Sequence, residues 1–503
     1  MNLEAAYDEL IRRSRAHSLL ASCSALLGWD EQTYLPRGGV EHRSNQMALL
    51  AGLQHEQVTD PRIGELLDAL DGSSLVADPL APASVNVREL RRAYERKTRL
   101  PRTLVEEIAR TTSVSQQEWI DARRANDFAR FRPWLEKIVA LKRREAECLG
   151  AQGPAYDALI DEYEPGAKSG EIATLFEALR AELVALVAAI AGAKSRPDRS
   201  LLEREFPIDR QRIFGEALAD AVGFDFRRGR LDTAAHPFCT GIGPGDCRIT
   251  TRYNARSFED AVFGILHETG HALYEQGLDP EHYGTPMGEA VSLGVHESQS
   301  RLWENTVGRS RPFWAHFFPL ARHVFHEALQ DVAPDDFHRA VNRVEPSLIR
   351  VQADEVTYNL HILMRFELEE ALISGDLKAA DVPGAWVEKS TRYLGVTPRT
   401  DAEGCLQDIH WSTGLIGYFP TYTLGNLYAA QLFEKARAEL GDLAESFARG
   451  DFAGLLSWLR EKVHRQGHRY HPARLIEHVT GSPPDHRPLV SALRRKYEEI
   501  YEL

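Results

Sequence analysis

The stretch GILHETGHALYEQG, residues 264–277, sets His267 and His271 four positions apart with Glu268 directly after the first. On a helix, residues i and i+4 stand one above the other, so two imidazoles at this spacing can aim at one point. That is how a backbone fixes two ligands of a metal ion. Glu268 is rotated by about 100° from His267 on such a helix. It therefore stands beside the metal position, where a carboxylate can take a proton from an attacking water. Gly270, in the middle, costs a helix about 1 kcal/mol relative to alanine, which makes sense only if something must approach the backbone there. The same string can arise by chance, so its neighbours have to supply the case.

Catalytic zinc takes three protein ligands and keeps a fourth position for water or substrate. The third ligand has to come from a neighbouring element. Residues 287–307, MGEAVSLGVHESQSRLWENTV, show a second helical pattern and carry Glu289, His296, Glu297 and Glu304. A turn and an antiparallel return would bring one of them to the pair. Spacing alone does not choose among these, and His296 is a serious rival because imidazole is the commoner zinc ligand. No cysteine adjoins the set, whereas structural zinc sites are closed and usually cysteine-rich.

The elements that must hold these residues are helical. Apolar residues recur at helical spacing over 3–28, 103–125, 133–149, 170–192, 256–276, 356–374, 425–440 and 484–501. The exception is roughly 227–253, where Gly and Pro punctuate short β-branched runs such as CRITTRY; it reads as a hairpin or three-stranded sheet just ahead of the HETGH helix. A second irregular stretch, GCLQDIHWSTGLIGYFPTYTLGN at 404–426, is rich in Gly, aromatics and His, the composition of a functional loop on a helical scaffold. The fold class expected is mainly α, with a small β element near 227–253.

With 503 residues, 43% of them hydrophobic and 27% charged, the chain can bury a large core. It has no long linker and no fixed-period repeat, so one body spanning 1–503 with helical subdomains is expected. A formal charge of -14 weighs against nucleic acid, which demands a concentrated basic surface. The five cysteines, Cys23, Cys148, Cys239, Cys247 and Cys405, are odd in number and never in a CxxC spacing, which fits a reducing compartment. The first 30 residues are interrupted by charge, unlike a signal peptide, and no run of 18 apolar residues exists. The expected location is the cytoplasm, with no membrane partner.

Peptide chemistry would need two further groups. A tetrahedral intermediate carries an oxyanion, for which His410, Tyr418 and Tyr422 are candidate donors. If the substrate carries a carboxylate that must be held, the planar fork of Arg suits both of its oxygens. Arg350 leads and Arg248 is second; the competing reading for Arg350 is an ion pair with Asp354, four residues on. Metal-bound histidines also need an acceptor on the far ring nitrogen, for which Asp354, Glu355 and Glu304 are available.

HETGH followed by HESQSR resembles the carboxypeptidase Taq family of metallocarboxypeptidases. HPF at 236–238, DCRIT at 246–250, IRVQAD at 349–354, GCLQDIHW at 404–411 and the amino-terminal WDEQTYLP at 29–36 fit that family's motifs in order. The likeness runs from about residue 29 to the carboxyl end. It implies that Glu297 is the third ligand beside His267 and His271, that Glu268 is the general base, and that His236 belongs to the substrate site. It further implies one Zn²⁺ per chain with Co²⁺ able to substitute, a helical fold around a deep groove, and a homodimer. The activity implied is removal of single residues from peptide carboxyl ends, broad in preference and poor next to proline. Similarity to helical zinc peptidases of the angiotensin-converting-enzyme type points to His410 and Tyr422 as the oxyanion donors and leaves Tyr418 to the substrate-binding wall. A zinc oligopeptidase or dipeptidase of the same architecture is the alternative.

Overall fold

The computed structural model describes residues 2–150 and 153–503. The chain opens with four helices, α1 (Leu3–Thr33), α2 (Val40–Val58), α3 (Pro61–Leu70) and α4 (Pro82–Thr98). α1, α3 and α4 share a small core of their own, built on Ala6, Leu10, Leu66, Leu67, Leu70 and Val87. Next come α5 (Arg102–Ala125), α6 (Phe128–Leu149), the short α7 (Ala155–Ile160), α8 (Ser169–Gly192) and α9 (Ile208–Ala221). These pack with the carboxyl-terminal helices into one large core running from Trp119 to Tyr501. Five of the eight helices read from sequence lie within a few residues of their expected bounds; α1 runs five residues farther, to Thr33, and α6 and Pro420–Leu440 each begin five residues early, the latter at a proline that fits the first turn.

The β element is three-stranded: β1 (Gly229–Thr233), β2 (Cys239–Gly243) and β3 (Asp246–Thr251), in the order β1-β3-β2. β2 and β3 form the antiparallel hairpin, turning at Gly245, whose φ of 85° favours glycine. β1 pairs with β3 in parallel, which the sequence pattern did not reveal. One face of the sheet places Cys247 and Ile249 in a cluster with Ala219 and Phe224 from the α9 end, and Ile265 and Ala272 from the helix that follows.

That helix is α10 (Phe258–Glu275). Ser257 caps it by accepting a bond from the Asp260 amide at 3.2 Å, and Glu259 and Asp260 complement the dipole in its first turn. Phe258, Ala261, Val262, Ile265, Leu266, Thr269, Ala272 and Leu273 are buried, a stripe at the spacing that makes the segment helical and locks it into the body. The second pattern, 287–307, is not one helix. A single turn at Pro286–Gly288 precedes α11 (Leu293–Arg301), which continues as a π-helical turn over Leu302–Val307. Such wide turns recur at functional sites. Among the described residues no helix is long and apolar enough to cross a membrane.

Candidate active site

α10 and α11 meet at two glycines. A Cβ at Gly270 would lie 2.5 Å from the Gln299 carbonyl oxygen and 2.6 Å from the Ser300 Cα. A Cβ at Gly425, on the helix Pro420–Leu440, would lie 2.7 Å from the Glu297 Cγ. The backbone of α11 is therefore pressed between two neighbours that only glycine lets so close. The start of α11 is held as firmly. Ser292 caps it by accepting from the Val295 amide at 3.0 Å, and buried Glu164 accepts from the Gly294 amide at 3.0 Å and the Tyr428 hydroxyl at 3.0 Å.

This packing gathers His267, His271 and Glu297, one donor atom from each lying within 4.8 Å of the other two. Glu297 Oε2 is 3.6 Å from His267 Nε2 and 3.4 Å from His271 Nε2. Ligand bonds of about 2.0–2.1 Å at tetrahedral angles separate neighbouring donors by roughly 3.3 Å, so the spacing fits a small divalent cation. No fourth His, Cys, Asp or Glu joins the group among the described residues. Two nitrogens and one carboxylate are the donor set of a hydrolytic rather than a structural centre.

The groups behind the donors orient them. Glu304 Oε2 accepts from His267 Nδ1 at 2.9 Å, so of the acceptors expected from sequence, Glu304 is the one the fold uses. His271 Nδ1 faces His296 Nδ1 at hydrogen-bond distance, and His296 Nε2 donates to Glu275 Oε1 at 2.8 Å. His296, the rival third ligand, thus stands behind a ligand as the middle of a His271–His296–Glu275 relay, and Glu289 lies exposed outside the cluster. Arg301 donates from Nε to Glu297 Oε1 at 2.7 Å and from Nη1 to Glu304 Oε2 at 3.1 Å, while Glu297 Oε2, which faces the histidines, also accepts from Ser300 Oγ at 3.0 Å. Sequence reasoning passed over Arg301 and Glu275. Their signal was positional: Arg301 follows Glu297 by four, and Glu275 follows His271 by four, each one helical turn on.

Electrostatics follow from burial among charges. Burial opposes the charged form of His267, yet Glu297 and Glu304 outweigh it and raise this imidazole to about 9. Burial, with His296 beside it, lowers His271 to about 3. One imidazole thus carries the proton and the other stays neutral. Glu268 is 6% exposed, and burial raises its carboxyl to about 7 against the pull of His267.

The facing wall is joined to this centre through Tyr358, over whose ring the Arg301 guanidinium stacks at 4.3 Å. The Tyr358 hydroxyl accepts from Arg350 Nη1 at 3.0 Å. Arg350 Nε and Nη2 donate to Asp408 Oδ1 at 2.9 and 2.8 Å, and Arg365 Nε donates to Asp408 Oδ2 at 2.7 Å. Asp354 is not the partner of Arg350. It accepts from the amides of Glu345, Val356 and Thr357 and so caps the helix Thr357–Ser374, which overturns the reading of a surface ion pair. His410 Nε2 lies 3.2 Å from the Tyr422 hydroxyl, and the Tyr418 and Tyr422 rings meet at 5.4 Å. His410 Nδ1 is buried with no hydrogen-bond partner, 4.0 Å from Asp408 Oδ1, and burial lowers this imidazole to about 4, keeping it neutral.

Arg248 and His236 stand apart from that group. Arg248, on β3, closes its fork on Asp246 with two bonds of 2.8 Å and stacks over Trp29 at 4.1 Å. His236 is exposed in the connection between β1 and β2. The sheet nevertheless reaches the centre, because a Cβ at Gly241 on β2 would lie 2.4 Å from Glu275 Oε2.

Comparison with known proteins agrees with this geometry. Residues 9–497 match the carboxypeptidase Taq (M32) metallopeptidase family. The chain is 53% identical over 510 residues to thermostable carboxypeptidase 1 of Thermus thermophilus, covering all of both chains. It is 37% identical to carboxypeptidase 1 of Bacillus subtilis, covering 99% of each. The fold superposes on the crystal structure of an M32 carboxypeptidase from Deinococcus radiodurans with a TM-score of 0.96 at 43% identity, over 99% of this chain and 100% of that one.

Proposed function

On the premise that the chain belongs to the carboxypeptidase Taq (M32) family and is a metal-dependent carboxypeptidase, we propose that His267, His271 and Glu297 hold its catalytic cation and that the chain's own side chains divide the remaining work as follows. The observation that carries the assignment is the convergence of two Nε2 atoms and one carboxylate oxygen at tetrahedral spacing, with no fourth His, Cys, Asp or Glu among the described residues. Zinc suits two imidazoles and a carboxylate, one ion per chain, and cobalt accepts the same set. When bound, the cation supplies Lewis acidity, polarising a carbonyl and lowering the pKa of water toward about 7.

Glu268 takes the proton from the attacking water and delivers it to the departing amine. Its place directly after His267 on α10 and its burial support this role. His410 and Tyr422 donate to the oxyanion of the tetrahedral intermediate. What supports the pair is the 3.2 Å separation of Nε2 and the hydroxyl, together with a ring that burial keeps neutral. Arg350 holds the carboxylate at the end of the peptide. Arg350 and Arg365 share the single carboxylate of Asp408, which leaves one positive charge uncompensated in a buried wall. A free carboxylate supplies the missing charge, and an amidated terminus does not. Tyr418 lines the same wall, while Arg248 and His236 meet the peptide farther from the cation.

The whole chain, 1–503, acts as one catalytic unit on peptides in the cytoplasm, with broad preference at the last residue and poor cleavage next to proline. It works as a homodimer, for which the exposed Leu19, Leu26, Leu49 and Leu53 of α1 and α2 supply an apolar face. Sedimentation gives the oligomeric state directly. The decisive experiment on the site is Glu268→Gln with metal content and hydrolysis measured together. Metal is retained while hydrolysis of peptides with free carboxyl ends drops by about 10²–10⁴; unchanged turnover would remove Glu268 from the mechanism.

A further inference from the structure

Two of the five cysteines meet where the sheet touches the metal-ligand relay. Cys239 on β2 is opposite Ile249, and Cys247 on β3 is opposite Gly241, so the two cysteines are a diagonal pair on one face of the hairpin. Their sulfur atoms are 3.7 Å apart and unbonded. Cys247 is buried and Cys239 half-buried. A cavity of about 400 Å³ lies between α1, the β2–β3 turn and the end of α10; Cys247, Gly241 and Glu275 line it together. A small oxidant therefore has a route to buried Cys247 from the cavity, while Cys239 is itself partly exposed.

We propose that Cys239 and Cys247 are a modification site, a dithiol that a peroxide converts to a cross-strand disulfide and a small thiol converts back. In the first step a peroxide oxidises the half-buried Cys239 thiol: the S–H and O–O bonds break, sulfur becomes the sulfenic acid, and hydrogen peroxide is reduced to water. In the second, Cys247 sulfur attacks the sulfenic sulfur, the S–O bond breaks, and the thiol proton leaves with the hydroxyl as a second water. Two thiols lose two electrons and one peroxide gains them. Closing a 3.7 Å contact to a bond of about 2.05 Å takes side-chain rotation within a paired hairpin rather than a change of fold. The hydrogen bond between the two thiols, with burial, holds the Cys239 thiol protonated, so the pair rests as a dithiol. The disulfide ties β2 to β3 at the point where Gly241 presses on Glu275, the last member of the relay behind His271.

The test uses the metal-loaded full-length enzyme treated with hydrogen peroxide and then digested without reduction. Expected are a peptide bridging Cys239 to Cys247, two fewer titratable thiols per chain, reversal by dithiothreitol, and loss of the bridge in Cys239→Ser. A second variant, Cys23→Ser, removes the exposed cysteine and leaves the bridge intact. If oxidation consumes Cys23 or Cys148 while Cys239 and Cys247 stay reduced, or if the pair goes to irreversible acids without bridging, the proposal is wrong.

Discussion

Replacing Gly270 by alanine asks whether backbone contact between α10 and α11 sets the spacing of the candidate ligands. In an open helix the change stabilises by about 1 kcal/mol, because alanine is the better helix former. Here the added Cβ would stand 2.5 Å from the Gln299 carbonyl and 2.6 Å from the Ser300 Cα. Ordinary carbon contacts are about 3.5–4.0 Å, so α11 has to retreat by roughly 1 Å. It cannot slide freely, since Gly425 blocks it on the side of Glu297 and Glu164 holds its first turn. Overpacking of this kind costs about 1–3 kcal/mol, which matches or exceeds the helix gain and leaves the metal-free protein less stable by up to about 2 kcal/mol. A shift near 1 Å also exceeds the roughly 0.2 Å tolerance of ligand distances. Metal affinity then falls by about 10- to 100-fold, comparable to losing an orienting partner. Urea denaturation of the chelated protein gives the first number, and metal competition against a chelator of known affinity gives the second. A stabilised Gly270→Ala protein with undiminished metal affinity would show that this contact does not fix Glu297.

Three other outcomes follow from the same geometry. His296→Phe leaves His271 Nδ1 without its partner and should weaken metal binding about 10- to 100-fold in the same competition assay, with the helical signal unchanged; full affinity would mean the relay is idle. Arg350→Lys keeps the charge and loses the fork, so KM for peptides with free carboxyl ends should rise about 10-fold or more while cleavage of amidated peptides, already poor, changes little. An equal fall on both substrates would make Arg350 structural. Burial raises Glu164 from 4.5 to about 7, so the folded protein keeps a proton there that the unfolded chain releases first. That contribution to stability is complete below about pH 4.5 and is lost as pH rises through about 7, a loss of about 3 kcal/mol. Glu164→Gln cannot ionise, and urea titrations between pH 4.5 and 8 should show a correspondingly flatter stability profile; an unaltered profile would place the ionisation elsewhere.

The helices of this protein and the chemistry of its centre were open to reading from the chain because both rest on local spacing. A stripe recurring every three to four residues marks α10, and the same period puts His267 over His271. Ordered motifs likewise carried the family. What spacing could not supply was the environment of each donor, since that is made by residues distant in sequence. Glu304 behind His267, His296 and Glu275 behind His271, and Arg301 on Glu297 depend on the packing of α10, α11 and the π turn. Arg350 shows the limit most plainly. Its neighbour in sequence, Asp354, was the natural partner on paper, yet the fold gives the guanidinium to Asp408 and sends Asp354 to cap a helix. Periodicity is a property of one segment and survives in the sequence. Which charges face one another across two segments is decided by how closely their backbones can approach, and at this centre two glycines, 270 and 425, set that distance.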